Sequence, residues 1–171
     1  MAVHGKNQRL KYKRRRTGET DYRRRLKLLR GEMPRAVVRV SNSRIIAQIV
    51  TYEKDGDKIT AQTNSSELRR HGWPMDASIK SVPSAYLTGF SLGKKALAAG
   101  IDEAVLDIGL AASTRGNRVF SALKGMIDAG LWLPHSEDVL PSEDRINGAH
   151  ISDSLATSVE STRSKIEEAS S

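Results

Sequence analysis

Apolar and polar residues alternate with period two over residues 35–40: Ala36, Val38 and Val40 fall on one side, Arg35, Val37 and Arg39 on the other. That alternation, rich in β-branched residues, predicts a half-buried strand. Ser41, Asn42 and Ser43 form a tight turn, residues 44–52 return as a second strand, and Asp55-Gly56 marks a hairpin into a third over 58–63. The three strands make an antiparallel meander with a greasy face and a wet basic one, to which Lys58, Thr60 and Gln62 also belong.

Helical spacing governs most of the remaining chain. Tyr22, Leu26 and Leu29 recur at i, i+4, i+7 behind Thr20 or Asp21 as N-cap, so residues 21–30 predict a short amphipathic helix that stops at Gly31. A short helix starts over 64–68, capped by Ser65 or Ser66, and ends near His71 and Gly72. A longer one opens at Pro83-Ser84 and runs to about Ala99. In it Gly89, Gly93, Ala96 and Gly100 recur near helical spacing, which predicts close approach of the helix backbone to a sheet. Residues 104–110 form the continuous apolar run expected of a strand buried on both faces. A helix from Asn117 or Arg118 to Ala129 follows, with Phe120, Leu123 and Ile127 as its inner stripe.

These elements predict an α/β fold: one domain with a mixed β-sheet, made of a three-stranded antiparallel meander followed by helix-strand-helix, packed by helices. Residues 1–31 form a basic arm with its short helix, residues 32–151 the globular domain, and residues 152–171 an acidic, Ser-rich tail expected to fray in isolation.

Charge sets one end of the chain apart. Residues 1–30 hold twelve Lys or Arg against Glu19 and Asp21, a local charge of +10, whereas sixteen basic and eighteen acidic residues follow. The whole-chain +8 therefore comes from the arm, and it calls for a polyanion. Its cations repel one another within a Debye length of about 8–10 Å, and no acidic run elsewhere matches them, so the arm is expected to be mobile alone and ordered when bound. Tyr12 and Tyr22 lie inside the basic clusters, where they can stack on bases or riboses, which favours RNA over a bare lipid surface. A solvated tail, a nuclear-localisation patch or a mitochondrial presequence would share the composition. Glu19, Asp21 and the scarcity of hydroxyls separate this arm from a presequence.

Chemistry beyond binding finds little support. There is no cysteine, which removes disulfides, zinc ribbons and thiol nucleophiles. No apolar run reaches the roughly 18 residues of a membrane span, and no secretory signal pattern is present, so a soluble intracellular protein is expected. The four histidines are scattered. His135, Glu137, Asp138 and His150 would suit a metal, but a surface acidic loop accounts for the same residues. No nucleophile elbow, kinase signature or glycine-rich nucleotide loop occurs, so neither an enzyme nor a cofactor is expected. Asp107, inside an apolar strand, reads as a hydrogen-bonded core or strand-end carboxylate. The strand, the small-residue loop with Ser113, Thr114 and Arg115, and the helix start at Arg118 form a recurrent anion site. The same geometry is also a common plain connection in α/β folds, and both readings stand.

Several runs together resemble a known family. They include residues 11–16 and 20–29, Pro34-Arg35-Ala36-Val37-Val38-Arg39 with Ser41-Asn42, Pro83-Ser84-Ala85-Tyr86-Leu87-Thr88-Gly89, Glu103-Ala104-Val105-Leu106-Asp107-Ile108-Gly109-Leu110 and Pro134-His135-Ser136-Glu137-Asp138. In order and spacing, from about Lys11 to Ile151, these resemble the archaeal and eukaryotic-type large-subunit ribosomal protein eighteen, the 5S rRNA binder of the central protuberance. The short stretch after Ile151 favours the archaeal type. The resemblance implies an α/β domain, an N-terminal extension threading into rRNA, no catalysis, no cofactor, and a cytoplasmic, ribosomal location. It implies as partners 5S rRNA, the large-subunit (23S-type) rRNA and neighbouring ribosomal proteins, including another 5S rRNA binder, with no membrane and no small-molecule substrate. Carried over by position, the RNA contacts are Lys11, Tyr12, Lys13, Arg14, Arg15, Arg16, Tyr22, Arg23, Arg24, Arg25, Lys27, Arg30, Arg35, Arg39, Ser41, Asn42, Arg44, Ser113, Thr114, Arg115 and Arg118. An RNA binder acting outside the ribosome shares every charge argument. A phosphate-handling enzyme built on Asp107 and the 113–118 loop rests on topology alone.

Overall fold

The computed structural model describes residues 9–170, in which the alternating segments pair into one mixed four-stranded sheet. β1 (Arg35–Val40) runs antiparallel to β2 (Ile45–Thr51), and β2 antiparallel to β3 (Lys58–Asn64). β4 (Val105–Asp107) joins β1 in parallel, giving the order β3-β2-β1-β4. Register sets Ala36 opposite Ile49 and Val38 opposite Ala47, and all four side chains are fully buried on one face. The opposite face carries Arg39, Gln48 and Gln62, the last two joined by a 2.8 Å hydrogen bond.

Two long helices cover the apolar face. α3 (Val82–Ala98) begins where Ser81 Oγ accepts from the Ser84 amide, and α4 (Arg118–Asp128) begins where Asn117 Oδ1 accepts from the Val119 and Phe120 amides. The glycines of α3 do not meet the sheet as expected. A Cβ on Gly89 would overlap the Ala122 carbonyl of α4, one on Gly93 would meet the Ala129 side chain at 2.6 Å, and one on Gly125 of α4 would overlap the Tyr86 carbonyl of α3. Both helices lie on one sheet face and touch each other backbone to backbone. A four-residue glycine spacing marks a close contact without revealing which element makes it.

Three further expectations change. The apolar run over 104–110 yields only three strand residues at a sheet edge, because Gly109 turns with φ +60° and leaves Leu110 exposed. The segment Ser65–His71 is a 3-10 helix capped by Asn64, whose side chain accepts from the Ser66 amide. Ser65 Oγ instead accepts from the Ile45 amide, so it ties that segment to β2. The third change concerns the tail. After α5 (Glu143–Asn147), residues 153–170 form α6 (Asp153–Ser170), and Leu155, Val159, Thr162 and Ile166 bury one stripe at i, i+4, i+7, i+11. Leu155, Val159 and Ile166 join Leu68, Trp73, Leu87 and Phe90 in a second apolar cluster behind α3. A Ser-rich helix of weak intrinsic propensity is held by that packing rather than by its own hydrogen bonds.

Two substitutions test this packing. Gly89→Ala should lose about 3 kcal/mol or more, because α3 and α4 must separate to admit the methyl group. Ile166→Ala should lose about 2–5 kcal/mol by leaving a cavity under α6. Urea unfolding midpoints read both, and an Ile166→Ala chain as stable as the parent would mean that α6 is not docked.

Candidate nucleic-acid interface

The basic arm folds into two short helices, α1 (Lys13–Arg16) and α2 (Tyr22–Leu29). Asp21 starts α2 by accepting from the Arg23 and Arg24 amides at 2.9 and 3.1 Å. The Arg24 amide bond is the main reason its carboxyl titrates below the ordinary aspartate range. Asp21, rather than Thr20, is thus the cap.

A run of ion pairs, partly exposed at Arg25 and buried at Arg35 and Asp107, fastens α2 to the sheet. Arg25 Nη2 lies 2.8 Å from Asp57, which also takes Arg35 Nη2 at 2.7 Å. Arg35 Nη1 lies 3.0 Å from Asp107, and Asp107 holds Arg39 Nη2 at 3.0 Å. One chain of alternating charge therefore runs Arg25–Asp57–Arg35–Asp107–Arg39, from the arm through the β2–β3 loop and β1 to β4. Arg24 Nη1 adds a 2.6 Å bond to the Gly109 carbonyl.

Asp107 is buried at the strand end and fully hydrogen-bonded, the structural carboxylate that its place in an apolar strand suggested. Burial pushes its carboxyl up, but the Arg39 guanidinium, the Gly109 amide and Arg35 together outweigh that and hold it below the usual range. Asp57 is likewise lowered, burial being overcome by Arg25 and Arg35. Gly109 is required twice over: its φ is +60°, and a Cβ there would sit 2.7 Å from Cζ of Arg39.

Arg35 overturns one expectation. It alternates onto the polar face as its register dictates, yet its side chain is only 2% exposed and two carboxylates hold it, so it does not front solvent. Arg39, 46% exposed, does. Beside it a cleft of about 340 Å³ opens between arm and sheet, walled by Arg14, Asp21, Arg24 and Leu110 and floored by Arg39 and Asp107.

The remaining arm cations are differently placed. Among the described residues, Lys11, Lys13, Arg14, Arg15, Arg16, Arg23, Lys27 and Arg30 are exposed and make no ion pair. Tyr12 is 87% exposed, whereas the Tyr22 ring is covered on one side by the Arg15 guanidinium at 5.9 Å. Of the two arm tyrosines, Tyr12 is thus the more open to a stacking partner.

A second basic group gathers at the far end of β1. Ser41 Oγ donates to the Arg44 carbonyl at 2.8 Å and accepts its amide at 3.0 Å, so that hydroxyl closes its own turn and leaves Arg44 outside. Lys80, which sequence reasoning passed over, donates from Nζ to the Asn42 carbonyl at 2.8 Å. Its own carbonyl accepts from Arg118 Nη1 at 3.4 Å. Lys80 therefore joins the 41–44 turn to the 113–118 loop, where Ser113, Thr114 and Arg115 are exposed. No local pattern marks a lone loop lysine for such a part. At this loop the first amides of α4 are already capped by Asn117, so an anion here would meet side chains rather than a free helix start.

Among the described residues no group of three or more His, Asp or Glu is placed to hold a metal ion, and no helix is long and apolar enough to cross a membrane. The family model described as "Ribosomal large subunit proteins 60S L5, and 50S L18" matches residues 6–103 and 99–136. The chain is 49% identical over 142 residues to the large ribosomal subunit protein uL18 of Korarchaeum cryptofilum, covering 83% of this chain and 72% of that protein. It is 48% identical over 149 residues to the protein of that name from Methanothermobacter thermautotrophicus, covering 87% and 77%. To the Halorubrum lacusprofundi protein of that name it is 51% identical over 139 residues, covering 81% and 74%.

Asp107→Asn should destabilise the fold by about 3 kcal/mol, since it leaves the buried Arg35 with Asp57 alone. The pH dependence has a definite sign. A carboxyl lowered in the native state contributes fully above the unfolded value of about 3.9, and that contribution fades as pH falls through the native value. The parent chain should therefore lose stability more steeply below about pH 4 than Asp107→Asn, as read from thermal midpoints across pH. Parallel curves would show that Asp107 is not held ionised by its arginines.

Proposed function

This chain belongs to the family of large ribosomal subunit proteins uL18, and from that premise we propose that it is a structural component of the large subunit that binds 5S rRNA. In this reading it helps attach 5S rRNA to the large-subunit rRNA at the central protuberance, next to other ribosomal proteins, and catalyses nothing. The observation that carries the reading is the row of exposed, unpaired cations on α1 and α2, pinned by their neighbours Arg24 and Arg25 to a domain of almost no net charge.

The division of labour follows from exposure. Arg25 and Arg35 act from behind, as the rivets that orient α2. Arg14, Arg15, Arg16, Arg23, Lys27 and Arg30 then face outward, where each can neutralise a phosphate and release its counterions. Arg39 and Arg24 line the cleft, which suits a phosphate or an unstacked nucleotide, and Tyr12 offers a free ring to a base. Arg44, Arg115 and Arg118, with Asn42, Ser113 and Thr114, form a separate basic group that Lys80 holds together.

Neutralising six to ten phosphates implies that affinity for 5S rRNA falls about 10³–10⁵-fold between 50 and 200 mM salt. Arg14→Gln with Arg15→Gln and Arg16→Gln should flatten the log–log salt slope by about 2–3. A salt-insensitive binding curve, or no change in that triple variant, would remove the proposal. Tyr12→Ala should cost about 1–3 kcal/mol of binding if its ring stacks on a base, and Tyr22→Ala less, because Arg15 already covers one face of that ring. Co-sedimentation with large subunits at moderate salt separates a ribosomal role from RNA binding elsewhere in the cell.

A further inference from the structure

The cleft between arm and sheet is lined by both signs of charge. Arg14, Arg24 and Arg39 share it with Glu19, Asp21 and Asp107, while Arg25, at one wall, is committed to Asp57. Glu19 and Asp21 are the only acids of the first thirty residues, and both stand at this cleft. A surface for phosphate alone has no use for carboxylates, and the exposed cations of α1 and α2 outside the cleft supply one without them. The mixed lining calls for a ligand that brings hydrogen-bond donors and acceptors together.

The existing bonds show which groups are open. Arg39 Nη1 donates to the Val38 and Asp107 carbonyls at 2.9 and 2.7 Å, and Nη2 donates to Asp107 Oδ1 at 3.0 Å. Among its N–H groups this leaves Nε–H and the second hydrogen of Nη2, which project side by side from one edge of the guanidinium. Asp107 has no such remainder, since Oδ1 takes Arg39 and the Gly109 amide and Oδ2 takes Arg35. Asp21 uses Oδ1 for the Arg23 and Arg24 amides, and Glu19 uses Oε1 for the Thr17 hydroxyl at 2.8 Å. Asp21 Oδ2 and Glu19 Oε2 accept nothing among the described residues. The cleft thus offers a forked pair of donors and, across from it in charge, open carboxylate oxygens.

Guanine is the nucleobase that answers both. Its O6 and N7 are adjacent acceptors that an arginine fork meets together, and its N1–H and N2–H groups are adjacent donors that suit a carboxylate. Adenine, cytosine and uracil do not present both pairs. The exposed Leu110 side chain, and Arg24, held by its 2.6 Å bond to the Gly109 carbonyl, provide surfaces against which an unstacked base can lie. A volume of about 340 Å³ is at the low end of the roughly 300–1,000 Å³ of small-ligand sites, room for one extruded nucleotide and too little for a duplex.

We propose that this cleft receives a single unpaired guanine of the bound RNA, with its O6 and N7 on the free edge of Arg39 and its N1–H and N2–H on Glu19. This rests on the RNA-binding reading above and adds base recognition to it. The arm cations hold phosphates without regard to sequence, and the cleft selects the base.

The test titrates the full-length protein with fluorescent RNA hairpins of about 20 nucleotides that differ only at one bulged position, which carries guanosine, adenosine, cytidine or uridine. The guanosine hairpin should bind about tenfold or more tighter than the others. Because Arg39 also braces Asp107, its part is tested on the RNA. A bulged 7-deazaguanosine, which lacks the N7 acceptor, and a bulged inosine, which lacks the N2 amine, should each bind about three- to tenfold more weakly than guanosine. Glu19→Gln should weaken binding of the guanosine hairpin and bring guanosine and inosine to within about twofold, whereas removing an acid from a basic surface would by charge alone strengthen RNA binding. Glu19 is exposed, so an unaltered thermal midpoint serves as the folding check. Equal affinity for all the hairpins, binding of none of them, or a Glu19→Gln chain that keeps the full preference overturns the guanine site. Guanosine monophosphate displacing the guanosine hairpin at a comparable concentration would assign the cleft to a free nucleotide and overturn it as well. A chain that still binds 5S rRNA in a salt-dependent way but shows no guanine preference loses this site alone, whereas one that binds neither 5S rRNA nor any hairpin loses the RNA-binding reading too.

Discussion

A carboxylate taken out of water stays ionised only where cations and amides surround it, and Asp107 meets that condition through Arg35, Arg39 and the Gly109 amide. Much of the polar side of the molecule follows from this. Arg35 is drawn into the protein and becomes available to Asp57. Asp57, thus fixed, can hold Arg25 and with it the arm helix. Arg39 is aimed at the cleft, and the chain must turn at a glycine beneath its guanidinium. The pairs are worth more for the geometry they impose than for net stability, since desolvation offsets much of their attraction.

On the other side of the sheet the determining contact is between two helices. Glycines at the α3–α4 crossing let the two backbones meet, and the rigid layer so formed supports both the first turn of α4 and the docking of α6. Tyr86 belongs to this layer. Its hydroxyl donates to Asp128 at 2.9 Å, and burial, together with that carboxylate, raises its ionisation well above the ordinary tyrosine range, so it remains a neutral donor. The sheet thus rests on a layer whose two helices pack backbone to backbone.

Between these two layers, charge is used in opposite ways. Where arginines pack between arm and sheet, at Arg25, Arg35 and Arg39, each is matched by a carboxylate; where they are exposed on α1 and α2, none is. Exposed pairs would contribute little to folding in any case, so leaving these cations unmatched costs the fold little and preserves their attraction for a polyanion.

Much of this was legible in the chain. The period-two run marked β1 residue for residue, Thr20 or Asp21 and Asn117 or Arg118 marked the starts of α2 and α4, where Asp21 and Asn117 prove to be the caps, and twelve cations against two acids in the first thirty residues pointed to RNA. These signals are local: a cap needs only its own next turn, and net charge is a sum over the chain. The tertiary structure alone decided that Arg35 is buried while Arg39 is exposed, that the α3 glycines meet a helix, that Ser-rich residues 153–170 dock as α6, and that Lys80 and Lys165 join distant segments. Each of those outcomes depends on which remote element arrives opposite a residue. Periodicity specifies that a face exists, but only the assembled fold supplies what covers it.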